Sequence, residues 1–243
     1  SDVAGKDELR LDPLGIATVH VVDSADIALG PISVTDGQTL AIQAINGSNI
    51  TEGGTGPGNL DSAGNLLLTA EGSIGTPTES VLIPGGVVAA QAGSDAGDQL
   101  FLESRDVDLS LDTVTVTDAL GTAQATASGL SAGGDIVAKV SGTNPANLLQ
   151  NGNIASTAGS VVLAVESGNL EQTTGNTIRG ASLGFKVSGD VGTFDGNTAR
   201  PVNIDAGEVA LAVGGDVILD RATGDVNLVN QVTAAGETVT TTG

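Results

Sequence analysis

The 243 residues include no Cys, Met, Trp or Tyr, and only three Phe. Without cysteine there is neither a disulfide scaffold nor a thiolate metal site. Without large rings a core cannot fill irregular space, so it must be narrow, layered and built from small aliphatics. Cations are scarce too: eight Lys and Arg stand against 29 Asp and Glu, for a formal charge of −21. Those eight are scattered and form no basic stripe, and the negative field repels phosphate backbones, so no nucleic acid partner is expected. No apolar run reaches the length of a membrane-spanning helix, so no membrane insertion is expected either. The opening Ser1-Asp2-Val3-Ala4-Gly5 has neither an initiator Met nor a signal-peptide pattern. It reads as the start of a processed or excised piece of a longer chain.

What the sequence does contain is Ala, Val, Leu and Ile, which supply nearly all of its 40% hydrophobic content, together with 36 Gly. The apolar residues recur with period two, as in Ala17-Thr18-Val19-His20-Val21, Val107-Asp108-Leu109-Ser110-Leu111 and Val209-Ala210-Leu211-Ala212-Val213. Period two marks strands. Each run is short and is stopped by Gly, Asn, Asp or Ser, the residues of tight corners. The best helical candidate, Asp135 to Val140, is too short to stand as a helix. A sandwich would want longer strands and core aromatics. A parallel β-solenoid wants short strands, stacked aliphatics and Gly/Asn/Asp turns. A recurring Gly-polar-aliphatic unit favours the solenoid: Gly64-Asn65-Leu66, Gly72-Ser73-Ile74, Gly134-Asp135-Ile136, Gly159-Ser160-Val161, Gly168-Asn169-Leu170, Gly189-Asp190-Val191, Gly215-Asp216-Val217 and Gly224-Asp225-Val226. The expected fold is all-β, a single continuous right-handed parallel β-helix (β-solenoid) over 1–243 with about ten coils and almost no α-helix.

The chain also repeats itself over a longer distance. Leu66 to Thr76 is echoed by Leu183 to Thr193, so that Gly72 aligns with Gly189 at an offset of 117. Ile83, Gly86, Val88 and Gly93 then align with Ile204, Gly207, Val209 and Gly214 at an offset of 121. Asp106-Val107-Asp108-Leu109 aligns with Asp225-Val226-Asn227-Leu228 at an offset of 119. Related coil sets are therefore expected near 38–118 and 160–234. Gly53 to Gly58 reads as a loop off the stack, and Ala119 to Gly134 as a linker or a loosely packed coil.

The phrases Gly64 to Gly75 and Gly215-Asp216-Val217-Ile218-Leu219 resemble the repeat regions of filamentous-haemagglutinin-like bacterial exoproteins. The resemblance covers about Thr39 to Val232 and is one of cadence. It implies a right-handed parallel β-helix, export to the extracellular bacterial cell surface, and a role as an adhesin stalk or surface fibre. The family's N-terminal secretion domain is not recognisable in this sequence.

Chemistry has few candidates. His20 is the only histidine, lies on an alternating strand, and has no Gly-x-Ser-x-Gly elbow to serve. Paired carboxylates for polysaccharide cleavage would come from Glu103, Asp106, Asp108 and Asp112, with Arg105 between them and Phe101 as the nearby ring. Solvated turn aspartates are the simpler reading of that run. Calcium could use Asp95, Asp98 or Asp205, although neither a β-roll nonapeptide array nor an EF-hand loop is present. No catalytic residue, cofactor or metal ligand is therefore assigned, with Ca²⁺ left open. The expected function is non-enzymatic: a rigid rod or head-to-tail fibre whose partners are flanking coils or further copies, and surface glycans or host proteins. A carbohydrate-active or glycan-binding β-helix is the alternative.

Overall fold

The computed structural model describes residues 8–11, 18–34, 37–53, 60–62, 64–117, 123–173, 175–196 and 198–242. These residues contain no helix, and so none that could cross a membrane. The chain winds between two parallel sheets that face each other across a narrow bore. The front sheet takes Ile27–Val34, Ile50–Glu52, Val81–Ile83, Leu100–Arg105, Ile136–Ser141, Val161–Val165, Ser182–Val187, Glu208–Val213 and Asn227–Leu228. The back sheet takes Thr18–Asp23, Thr39–Ala44, Asn65–Ala70 and Val87–Gln91, then divides into one line of strands ending at Leu170–Gln172 and another ending at Leu219–Arg221. The stack is a β-solenoid with somewhat fewer than ten turns. The difference arises because several coils spend residues on excursions away from the stack, at 75–80, at the pair Thr113–Thr117 and Ala123–Ser128, and at the pair Thr193–Asp195 and Thr198–Arg200.

Register turns the period-two pattern into two continuous files of inward side chains. The front file runs Ile27, Ile50, Ile74, Leu100, Ile136, Val161, Leu183, Val209, Leu228. The back file runs Val21, Ile42, Leu68, Ala90, Leu130, Ile154, Ile178, Ile204, Arg221. Each aliphatic sits on its counterpart one coil away, and most of these residues join one buried core. β-Branched and leucine side chains suit such flat, identical layers, because each presents the same shape to both neighbours. Phe185 is the largest fully buried side chain, between Leu163 and Leu211 in the adjoining front-sheet file.

Corners hold the coils at strand spacing. At one corner Asp108, Asn147, Asn169, Asp190 and Asp216 form a ladder in which each side-chain oxygen accepts the backbone N–H of the next member. The N···O distances are 2.7, 2.9, 2.8 and 2.7 Å. At the opposite corner Asp26 accepts from Asn49, Asn49 from Ser73, and Asp135 from Ser160. This is why Asp, Asn and Ser follow glycine in the repeated unit. The glycine has its own reason: an added Cβ at Gly168 would lie 2.1 Å from the carbonyl oxygen of Ala146 in the coil below.

Two hairpins leave the stack and lie back over its outer faces. Thr113–Thr117 and Ala123–Ser128 pair antiparallel, and Val114 and Val116 bury against Ala41, Leu67 and Ala89 on the back sheet. Gln231–Ala234 and Glu237–Thr240 likewise set Val232, Ala234 and Val239 on Phe101, Val137, Val162 and Ala210 of the front sheet. The segment read from sequence as a linker or a loosely packed coil, Ala119 to Gly134, lies outside the described residues up to 122; from 123 it supplies the second strand of the back strap and then returns to the sheet at Leu130–Ala132. Asp135 to Val140 contributes a strand, Ile136–Ser141. The loop read at Gly53 to Gly58 lies outside the described residues from 54 onward.

Candidate functional site

The best-formed concavity is a cleft of about 610 Å³ on the outer face of the front sheet. Its floor is Leu82, Phe101 and Val137; the excursion Pro77 to Ser80 and the strap turn Ala235-Gly236-Glu237 form opposite walls. Strand alternation sends Glu103, Arg105 and Lys139 outward into it, while Glu52, Glu79 and Glu237 complete a mixed, mainly acidic lining. Glu103 is the organised centre. Its Oε1 accepts Arg105 Nε at 2.9 Å and Ser141 Oγ at 2.5 Å. Burial pushes the Glu103 carboxyl up, but those two hydrogen bonds and the charges of Arg105 and Lys139 outweigh it and hold the group below the usual carboxylate range. Glu52 is buried at 7% exposure, shares a register position with buried Leu29, and accepts the Leu82 amide through Oε2 at 3.2 Å.

Beside the cleft, Lys139 Nζ lies 3.0 Å from Glu166 Oε1. Burial works against the Lys139 charge, but the bond to Glu166 and the surrounding carboxylates raise its pKa. The same bond, with the Gly142 N–H at 3.1 Å, lowers that of Glu166. Chemically this is a surface of fixed charges. A carboxyl held low is ionised at neutral pH, which suits an acceptor of hydrogen bonds and not a proton donor.

The other candidates do not converge on this cleft. Asp106 adopts φ 58° at a corner, where its Oδ1 accepts the amides of Thr143 and Asn144. Asp108 starts the corner ladder, and Asp112 accepts the Thr113 amide at the base of the back strap. All three are committed to holding backbone turns. His20 is exposed on the outer back face, in register with Ala41. Asp98 accepts the Asp95 amide within a turn, and Asp205 pairs with Arg179 at 3.3 Å. Among the described residues no group of three or more His, Asp or Glu is placed to hold a metal ion. Sequence reasoning found Phe101, Glu103 and Arg105 but missed Glu52, Glu79, Lys139 and Glu237 as co-lining residues. Only Glu52 left a signal, as a carboxylate two residues after Ile50, where the alternation reserves a place for an aliphatic.

The chain matches no family model, no curated protein and no solved structure. Its functional reading therefore rests on the solenoid and the cleft themselves.

Proposed function

We propose that this chain is a structural, non-enzymatic segment of a secreted bacterial surface protein of the filamentous-haemagglutinin-like kind. It acts as a stiff spacer that carries adhesive contacts on its flanks. The observation that carries the reading is the pair of unbroken nine-member files. Each coil buries its inward aliphatics against its neighbours, so the architecture is quasi-one-dimensional. The two straps clamp several coils at once. Eight steps at about 4.8 Å give a stack roughly 40 Å long. The flank cleft supports a glycan-binding role as the second reading, since its carboxylates and cations offer hydrogen bonds to hydroxyl groups.

Two measurements test this. Immunogold labelling of producing cells should place the protein outside the envelope; label confined to the cytoplasm would remove the surface role. A panel of bacterial and host polysaccharides should yield no cleavage products. Cleavage by the native chain that is lost in Glu103→Gln would replace the structural reading with an enzymatic one.

A further inference from the structure

The Glu103 cleft is completed by a piece of chain that does not belong to the stack. One wall is the turn of the front strap, and that turn is fastened to the solenoid. Asp135 Oδ2 accepts the Ala235 amide at 2.6 Å, while Asp135 Oδ1 accepts the Ser160 amide at the corner. The fold therefore fixes where Glu237 stands. The charges in the cleft are not equally engaged. Arg105 is taken by Glu103 at 2.9 Å, and Lys139 by Glu166, outside the lining, at 3.0 Å. Glu52 is buried and accepts the Leu82 amide. Two carboxylates are left, one on each wall. Glu79 is exposed and bonds to Thr76 through its main chain, so among the described residues its carboxylate has no ion-pair partner. Glu237 reaches Lys186 only at 3.9 Å, with both side chains well exposed.

We infer that this cleft binds a saccharide carrying a free amino group, which deepens the glycan-binding reading above and rests on it. Three features select that ligand. The volume of about 610 Å³ is that of a small-ligand site. The free charges are of one sign. An anionic sugar would have to displace Glu103 from Arg105 or Glu166 from Lys139, and would approach against a −21 field. A sugar ammonium gains a carboxylate from either wall and breaks neither pair, in a charge-assisted hydrogen bond. The remaining lining suits a sugar rather than a lysine side chain. Thr78 and Ser80 add hydroxyls to the Glu79 wall, and Leu82 offers an apolar floor for the C–H face of a ring. Because Glu237 belongs to the strap, a ligand that spans the two walls also holds the strap down. It stabilises the seated strap by mass action.

The test is calorimetric titration of the full chain in mildly acidic buffer, where a sugar amine carries its proton. The probes are a glucosamine trisaccharide, its N-acetylated counterpart, a glucose trisaccharide and trilysine. The glucosamine trisaccharide should bind tightest, by roughly fivefold or more over the two neutral sugars, and should slow proteolysis of 231–240. The double variant Glu79→Gln/Glu237→Gln should erase that preference, and so should Gly184→Val, whose added side chain meets Val239 and lifts the strap. Glu208→Gln/Asp220→Asn removes the same charge from exposed positions outside the cleft and should keep the preference. Equal losses in the two double variants would mean general attraction of a cation to an acidic surface and would overturn the site. Trilysine binding as tightly as the amino sugar would overturn the saccharide assignment. Neutral sugars binding as tightly would overturn the amino-group inference and leave the glycan-binding reading standing. No binding by any of the three saccharides would remove both, so the two failures are distinguishable.

Discussion

Asn169 is the middle rung of the Asp108–Asn147–Asn169–Asp190–Asp216 ladder, and its Oδ1 receives the Asp190 amide at 2.8 Å. Asn169→Ala removes that acceptor and leaves a half-buried backbone N–H without a protein partner. A net hydrogen bond is worth about 1 kcal/mol and an unsatisfied buried donor costs about 1–3 kcal/mol; the corner admits some water, so a loss of about 1–2 kcal/mol is expected. Asn169→Asp keeps the oxygen and strengthens the bond. It also sets a second carboxylate about one strand spacing from Asp190, and at about 4.8 Å that repulsion runs from roughly 1 kcal/mol in bulk water to about 3 kcal/mol at a protein surface. The two variants therefore separate by salt. Urea unfolding at low and high ionic strength should show an alanine deficit that salt leaves unchanged and an aspartate deficit that salt largely erases. Hydrogen exchange at the Asp190 amide should accelerate in the alanine variant alone. If Asn169→Ala matches the native midpoint, or if both deficits respond to salt equally, the ladder does not hold the coils and the reason given for the Gly-polar-aliphatic cadence fails.

The core and the flank make separate predictions. Phe185→Ala empties the largest buried position and should cost about 3–5 kcal/mol in the same urea assay, while Phe194→Ala, at 59% exposure in the antiparallel pair Thr193–Asp195 and Thr198–Arg200, should cost almost nothing. Gly184 makes room for the front strap, since a Cβ there would lie 2.9 Å from Val239 Cγ2. Gly184→Val should therefore detach the strap and open 231–240 to protease while the stack stays folded. The Lys139–Glu166 pair gives a pH signature with a sign at each end. The folded pKa of Glu166 is depressed, so its contribution is present above the unfolded carboxyl value of about 4.3 and is lost as pH falls through the folded value. Lys139 is raised, so its contribution is present below about 10.4 and is lost as pH rises through its folded value. Glu166→Gln should flatten both limbs of the stability–pH profile, more visibly at low salt.

Architecture was legible because the solenoid repeats its requirements. A polar acceptor followed by an inward aliphatic recurs along the stack, often after a corner glycine, and period two fixes which side chains face the bore. The straps were not legible as straps, although they left a trace. Val161–Val165 is buried at all five positions, and Leu66, Leu67 and Leu68 are buried in succession. An unbroken apolar strand has both faces covered. Alternation alone accounts for one face, so these runs called for a second layer that a local reading does not supply. The cleft was only partly readable for a similar reason: its walls, Glu79 and Glu237, come from an excursion and a strap more than a hundred residues apart.

The internal echo has a structural meaning that spacing alone concealed. Its matched residues fall on opposite sheets: Leu66 and Val88 are in the back and Leu183 and Val209 in the front, while Ile74 and Ile83 are in the front and Val191 and Ile204 in the back. The copies are related by half a turn, because both sheets face one bore and a strand, glycine corner and acceptor that work on one side work on the other. The match extends to the excursions. Gly75 and Gly192 both adopt positive φ, at 71° and 81°, and each opens an antiparallel detour, Thr76 with Glu79 and Thr193 with Arg200. The chain rejoins the stack at Val81 and Val202, so the second detour is longer by four residues, which is the slip from 117 to 121 in the echo. If the detours are equivalent, their hinges should fail alike. An alanine Cβ would lie 2.7 Å from the Phe101 carbonyl at Gly75 and 2.9 Å from those of Arg200 and Ile218 at Gly192, with the left-handed conformation adding about 1–2 kcal/mol at each. Gly75→Ala and Gly192→Ala should thus destabilise by similar amounts in urea, with only the first altering the cleft. A large deficit at one hinge and none at the other would show that the half-turn relation does not extend to the excursions.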